Sequence, residues 1–194
     1  MDNQAIDIEN LYNELLQIDR ELALETRAKG CPHCGCVLHR ANYPRVPKGL
    51  SALFDISQVV RFSFCCSNDE CRRRVTPASV RFLGSKQYLG ILVVLFCATR
   101  SLNRKPISES LRTRVSPCKS TVCRWLAWWK DDVPGTRFWT QAKGRIMPTP
   151  DTGIFCDDLV TLFSITQLTG GLSRLLRFIS PLSIHEYQQL ANGK

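Results

Sequence analysis

The sequence predicts a mainly α-helical protein with one small β module. Three observations carry this prediction: an amphipathic stripe near the N-terminus, a cysteine- and proline-rich stretch with little helical period, and apolar helical segments through the second half. The chain has 194 residues, of which 44% are hydrophobic and 22% are charged. A chain of this length and composition can bury a core and is unlike a disordered one.

The first element is an acidic leader, residues 1–29, in which residues 4–28 are predicted to form one helix. Five apolar residues recur at spacings of three and four and make a single stripe. They are Ile8, Leu11, Leu15, Ile18 and Leu22. Gly30 can end the helix in the left-handed conformation. Two interpretations stay open: the stripe packs on its own domain, or it docks on a partner or on a second copy of the chain.

Two cysteine pairs follow, Cys31 and Cys34 in the run CPHCG and Cys66 and Cys71 in the run CSNDEC. A C-x2-C turn places two thiolates on one side of a zinc ion, and a second pair from a distant turn completes the tetrahedron. A short strand is predicted just before Cys66. We therefore predict a β zinc ribbon over residues 30–82 that holds one structural Zn²⁺, with four ligands and no open position for water.

This ligand assignment leaves alternatives open. Another residue of the segment could replace one of the four cysteines: Cys36, Cys65, His33 or His39. The cysteines could also be redox-active or simply buried thiols, although two clustered pairs disfavour that reading.

Three arginines, Arg72, Arg73 and Arg74, come directly after the last cysteine, and the run VTP follows them. Together with the two cysteine pairs, this run resembles the N-terminal zinc ribbon of bacterial insertion-sequence transposases and related mobile-element proteins. The resemblance covers residues 31–82. It implies a ribbon that contributes to binding element ends or partner proteins. We expect the three arginines and Arg81 to neutralise DNA phosphates.

The charge of the chain is concentrated in its middle. Residues 29–130 carry 18 bases and four acids, whereas residues 1–28 carry two bases and seven acids, and residues 131–194 carry six of each. A segment with this excess of positive charge favours a polyanionic partner, most simply nucleic acid. The alternative is a basic surface that serves only solubility.

Residues 83–143 are predicted to form a helix-turn-helix domain. Its parts are a buried helix over 85–98 and two short helices over 108–115 and 117–130. The run KSTVCRWL at 119–126 resembles the recognition helix of helix-turn-helix proteins, and it starts either at Ser116-Pro117 or nearer Cys118. In that arrangement the candidate base-reading residues are Lys119, Ser120, Thr121 and Arg124, and the candidate phosphate contacts on the preceding helix are Arg112 and Arg114. A helical hairpin with an aromatic core face is the alternative.

The C-terminal third is predicted to contain a linker at 144–153 and an apolar helical segment at 154–194. Its last short helix is predicted to start at Ser183. Only 64 residues follow Lys130, which is too few for the carboxylate-bearing nuclease domain of a transposase. No other catalytic constellation is found, so we expect no enzymatic activity.

These features together predict a non-catalytic, zinc-containing protein that binds double-stranded DNA, as an accessory or targeting factor of a mobile genetic element. A transcriptional regulator and a protein-interaction subunit of a larger nucleic-acid machine are the alternatives. A separate recombinase or a second copy of the chain is a possible protein partner. The chain opens without a signal peptide, and its longest apolar run, residues 91–98, is too short to span a membrane. We expect a cytoplasmic protein with reduced cysteines.

Overall fold

The computed structural model describes residues 8–48, 59–84, 88–101, 115, 117–145, 159, 162–163 and 170–189. Within these ranges the protein is mainly helical and carries two small antiparallel sheets, which confirms the coarse fold class. None of the described helices combines the length and the apolar character that crossing a membrane requires.

Helix α1 runs from Ile8 to Lys29 and agrees with the predicted leader helix. The stripe faces inward: Leu11 and Leu15 are buried, and Ile18 and Leu22 pack against the same core. The four described residues of the stripe thus pack on the chain's own core, which favours the first interpretation. The helix ends at Gly30, whose φ of 75° is left-handed.

The strands form what we call the cysteine module, residues 30–44 and 59–77. Strands β1 (Leu38–Arg40), β4 (Phe64–Cys66) and β5 (Arg74–Val75) make an antiparallel sheet in the order β1-β4-β5. Strands β2 (Tyr43–Pro44) and β3 (Val60–Arg61) pair as a second sheet. The strand predicted before Cys66 is therefore two strands, interrupted at residues 62 and 63.

The remaining helices form what we call the helical body. They are α2 (Gly90–Ser101), α3 (Lys119–Ala127), α4 (Arg137–Ala142), α5 (Gly170–Ile179) and α6 (His185–Gln188). Helix α3 continues through a π-helical turn, Trp128–Asp132, into a 3₁₀ turn, Val133–Gly135. Thr136 then caps α4 by accepting a hydrogen bond from the Trp139 backbone N–H. The final helix begins at His185 rather than at Ser183.

One large core joins α1 to the helical body. Its aromatic part centres on Trp125 of α3, whose ring lies 5.0 Å from that of Tyr88 and 6.4 Å from that of Phe96, centroid to centroid. The tryptophans of this region are therefore core residues in the described structure: Trp125, Trp129 and Trp139 are all buried.

Several predictions fall outside the described residues. They include the first helix of the predicted helix-turn-helix, with Arg112 and Arg114, and most of the linker. Of that helix only Val115 is described, and it is buried.

Candidate metal centre

The first cysteine pair lies in a tight turn between α1 and β1. The Cys31 N–H donates to the Cys36 carbonyl at 2.9 Å, and the Gly35 N–H donates to the Cys31 carbonyl at 2.8 Å. A Cβ on Gly30 would lie 2.9 Å from the Gly35 oxygen, so a glycine is needed at position 30 for this close approach. The turn thereby places the thiols of Cys31 and Cys34 on the same side of the cysteine cluster.

The second pair lies at the end of β4, where Cys66 is the last residue, and in the connection to β5, which contains Cys71. The N–H groups of Cys71 and Arg72 both donate to the Asn68 carbonyl, at 3.0 and 2.8 Å, and the Cys66 N–H donates to the Arg73 carbonyl at 3.0 Å. Arg72 adopts a left-handed φ of 44°, which completes the turn. The chain folds here much as the first turn does, with backbone donors directed at the cysteines.

The sheet register brings the two turns together. Because β1 and β4 are antiparallel and Leu38 pairs with Cys66, the start of β1 lies beside the end of β4. The Sγ atoms of Cys34 and Cys66 are 3.3 Å apart, those of Cys31 and Cys71 are 3.8 Å apart, and all four lie within 4.8 Å of one another. A tetrahedral zinc with 2.3 Å bonds requires sulfur–sulfur distances of about 3.8 Å. The four cysteines are therefore compatible with one zinc ion.

The four alternative ligands lie outside this cluster in the described structure. Cys65 points its thiol to the Arg72 carbonyl at 3.6 Å, and His33 contacts Arg73 through Nδ1 at 3.2 Å. His39 is exposed on β1, opposite Cys65. Cys36 is half-buried beside the module's small core.

The thiols differ in acidity because of their surroundings. Backbone N–H groups, first that of His33, lower the pKa of Cys31 to about 7. A backbone N–H at Asn68 also favours the Cys66 thiolate, but burial and the neighbouring thiols outweigh it and raise the pKa of Cys66 to about 12. The same opposition raises the pKa of Cys71, where the N–H of Arg73 is the favourable contact. A divalent cation can stabilise the two thiolates, those of Cys66 and Cys71, that their surroundings disfavour.

The three arginines that follow the cluster are exposed, but they differ in their contacts. Arg72 forms a surface ion pair with Asp69 at 3.1 Å. Arg74 donates to the Ala41 carbonyl at 3.2 Å, and its guanidinium lies 5.6 Å from the Tyr43 ring centroid. Arg72 and Arg73 thus extend from the turn, whereas Arg74 lies along the module surface.

Arg81 was predicted to contact phosphate, and that prediction is wrong. Its side chain is buried, and its Nε donates to the Asp19 carboxylate at 2.7 Å. The two terminal nitrogens donate to the Tyr12 hydroxyl at 2.8 Å and to the Val60 carbonyl at 2.9 Å. A guanidinium satisfied on all three nitrogens inside the protein joins α1 to the module and is not available to a ligand.

Helix α3 begins at Lys119 with Cys118 as its N-cap, so the start nearer Cys118 is the observed one. Lys119, Ser120 and Arg124 are exposed, as predicted for a surface that meets a ligand. Thr121 is buried, and its hydroxyl accepts from Arg124 Nη2 at 3.1 Å. The prediction that Thr121 projects outward is therefore wrong; it holds Arg124 instead.

Sequence reasoning missed two residues of interest. Asp19 accepts hydrogen bonds from Ser79 Oγ, from the Val80 N–H and from Arg81, and its position 62 residues before Arg81 gave no local signal. Cys118 is exposed at the start of α3, and hydrogen bonds from Ser120 and Thr121 lower its pKa to about 7. A cysteine directly before a helix with serine and threonine at the next positions was the available signal.

Comparison of the chain with protein-family models, with curated proteins and with solved structures gives no match.

Proposed function

We propose that this chain is a non-catalytic DNA-binding protein with one structural zinc, and that it serves as an accessory or targeting factor of a mobile genetic element. The observation that carries the proposal is the turn from Cys66 to Arg74. It combines two cysteines of the cluster with an exposed run of arginines, so one metal would order both the turn and the cationic surface.

Electrostatics supports a polyanionic ligand. The surface ion pair between Arg72 and Asp69 is exposed on both sides, with 64% and 86% of the side chains accessible. Such pairs contribute about 0–1 kcal/mol, which a phosphate contact can replace. Arg73 contacts a ring nitrogen of His33 at 3.2 Å rather than a carboxylate. Both cations can therefore turn to phosphate at little cost.

A second cationic surface lies along α3, from its first residue, Lys119, to Arg124 in its last turn. Lys119, Ser120 and Arg124 are exposed there, and Thr121 accepts a hydrogen bond from the Arg124 guanidinium. A pre-oriented guanidinium on the exposed face of a helix has the chemistry to fork onto a guanine edge in a major groove. We assign Arg124 to base reading and Arg72 and Arg73 to phosphate binding. The mobile-element role rests on the resemblance of residues 31–82 and 119–126.

The test begins with selection of a preferred duplex from a random pool, followed by fluorescence anisotropy on the selected and on scrambled DNA. Arg72→Ala with Arg73→Ala should weaken binding to both duplexes and lower the log–log salt slope by about 0.9 per lost contact. Arg124→Ala should cost about 1–3 kcal/mol on the selected site and far less on scrambled DNA. Arg137→Ala, an exposed arginine of α4, is the matched control for loss of one charge.

The outcomes separate the alternatives. Equal losses on both duplexes for Arg124→Ala would make it a phosphate contact. Selected sites at promoters rather than at element ends would indicate a transcriptional regulator. Absence of duplex binding by the zinc-loaded chain would contradict the proposal and leave the protein-interaction subunit.

A further inference from the structure

We propose a second nucleic-acid site: the cavity between α1 and the strands of the cysteine module binds an unpaired stretch of DNA. The cavity has a volume of about 700 Å³. That size lies within the ordinary range for ligand sites, about 300–1,000 Å³. It is too small to admit a duplex but large enough for one or two unpaired nucleotides. The inference takes DNA as the polymer from the proposed function, but none of Arg72, Arg73 or Arg124 lines this cavity.

The lining is cationic. Arg20 and Arg27 of α1 and Arg40 of β1 border the cavity, and no aspartate or glutamate does so among the described residues. The structure records no ion pair of these three arginines with a described carboxylate. Three guanidinium groups around one concave site favour an occupant with more than one negative charge.

The charge distribution of α1 sharpens this observation. Residues 1–28 carry seven acids and only two bases, and both bases, Arg20 and Arg27, line the cavity. The described acids of the helix lie elsewhere: Glu21, for example, is 3.9 Å from Arg177 of α5. An otherwise acidic helix thus places its two cations on the one face that borders the cavity.

An aromatic ring and two amides distinguish nucleotides from a simple acidic peptide. Phe62 is half-buried and lines the cavity, with the Arg81 guanidinium 5.5 Å from its ring centroid. Since Asp19 fixes Arg81, the ring is held as a rigid platform on which a base can stack. Asn13 and Asn42 also line the cavity, and Asn42 Oδ1 accepts from the Ser63 N–H at 3.2 Å, which orients its amide for base edges.

The experiment measures anisotropy of a short fluorescein-labelled oligothymidylate with the full-length, zinc-loaded chain, beside a blunt duplex probe. Arg20→Ala with Arg27→Ala should weaken single-strand binding at least tenfold and lower its salt slope by about 0.7 per lost contact. Phe62→Leu keeps the apolar volume and removes the ring. It should weaken single-strand binding about fivefold or more. Duplex affinity should change less than twofold in both variants.

The matched control is Arg137→Ala with Arg174→Ala, which removes two exposed arginines from the helical body. Melting temperatures of all variants separate binding loss from unfolding. Equal losses on single-stranded and duplex probes would overturn the inference, because they would reflect net charge alone. A second result would also overturn it: an oligoglutamate peptide that binds through Arg20 and Arg27 and whose affinity Phe62→Leu leaves unchanged. That result would assign the cavity to a protein ligand. Single-strand binding that depends on the cavity in a chain without duplex affinity would support this site and contradict the proposed duplex function.

Discussion

The cysteine module and the helical body reach stability by different routes. The buried cluster of the module is small. It consists of Cys31, Leu38, Phe64 and Cys66 together with Ala23 of α1, and two of its residues are cysteines of the candidate metal centre. The core of the helical body instead draws on helices α2 to α5 and on α1, which packs against them, from Leu11 to Ile179. Burial of apolar surface can hold the second region but supplies little to the first. The metal should therefore act as a substitute core, confined to one part of the chain.

The largest expected effect is therefore metal loss. Cys66→Ser should abolish stoichiometric zinc binding and unfold the module, because bound zinc supplies on the order of 10 kcal/mol of folding free energy to such modules. Hydrogen exchange read by mass spectrometry should show protection lost in β1, β4 and β5 and retained in α2 and α5. Cys123→Ser, at an exposed position of α3, is the control and should keep both zinc and protection.

Chelation of the wild-type protein should reproduce the Cys66→Ser result. Unchanged protection of the module after removal of zinc would contradict the substitute-core interpretation and leave the cysteines as ordinary thiols.

Arg81 is buried and Arg72 is exposed, although the sequence predicted that both would neutralise DNA phosphates. Arg81→Ala should destabilise the protein by about 3–5 kcal/mol, because it leaves the Asp19 carboxylate buried without its cation. Arg72→Ala should cost about 0–1 kcal/mol of stability yet lower the salt slope of duplex binding. Urea unfolding measures the first effect and anisotropy the second.

A double variant tests the assignment of the Arg81 effect. Asp19→Leu with Arg81→Met removes both charges and should recover much of the stability that Arg81→Ala loses. If Arg81→Ala lowered DNA affinity without changing the unfolding midpoint, the burial of this pair would be the wrong explanation.

The sequence predicted the features that local spacing encodes. The stripe of α1, the four clustered cysteines and the helix that contains Trp125 follow from periods and motifs, and each is present in the structure. Spacing also favoured Cys66 over Cys65, and the β4 register explains why: neighbouring residues of a strand point to opposite faces, so only one of them can turn to the cluster.

Features that depend on distant pairing could not be predicted in the same way. Arg81 is the last arginine of a basic stretch and was therefore predicted to lie on the surface. Its partner, Asp19, is distant in sequence and lies on α1. The burial of Thr121 depends on packing of α3, and the cavity beside Phe62 exists only because α1 lies across the strands. Each is set by tertiary contact rather than by local composition.

The smallest expected effect compares thiols of the two regions. Zinc should shield the four clustered cysteines of the module, whereas Cys118 is exposed and has its pKa lowered from 9.0 to about 7 by Ser120 and Thr121. At pH 7 its thiolate fraction is about 50-fold above that of an unshifted thiol, but lower basicity reduces nucleophilicity by about eightfold, which leaves an advantage of about sixfold. Iodoacetamide should therefore label Cys118 about sixfold faster than a reference peptide thiol of pKa 9.0 at that pH. Because the thiolate reacts, the rate should rise as pH passes through about 7 and level off above it.

Peptide mapping checks the site of labelling, with Cys118→Ser as the blank. Bound duplex should slow the reaction if α3 contacts DNA, and scrambled single-stranded DNA held in the cavity beside Phe62 should not. Labelling of Cys31, Cys34, Cys66 or Cys71 before Cys118 in the zinc-loaded chain would reverse the expected order and contradict metal protection.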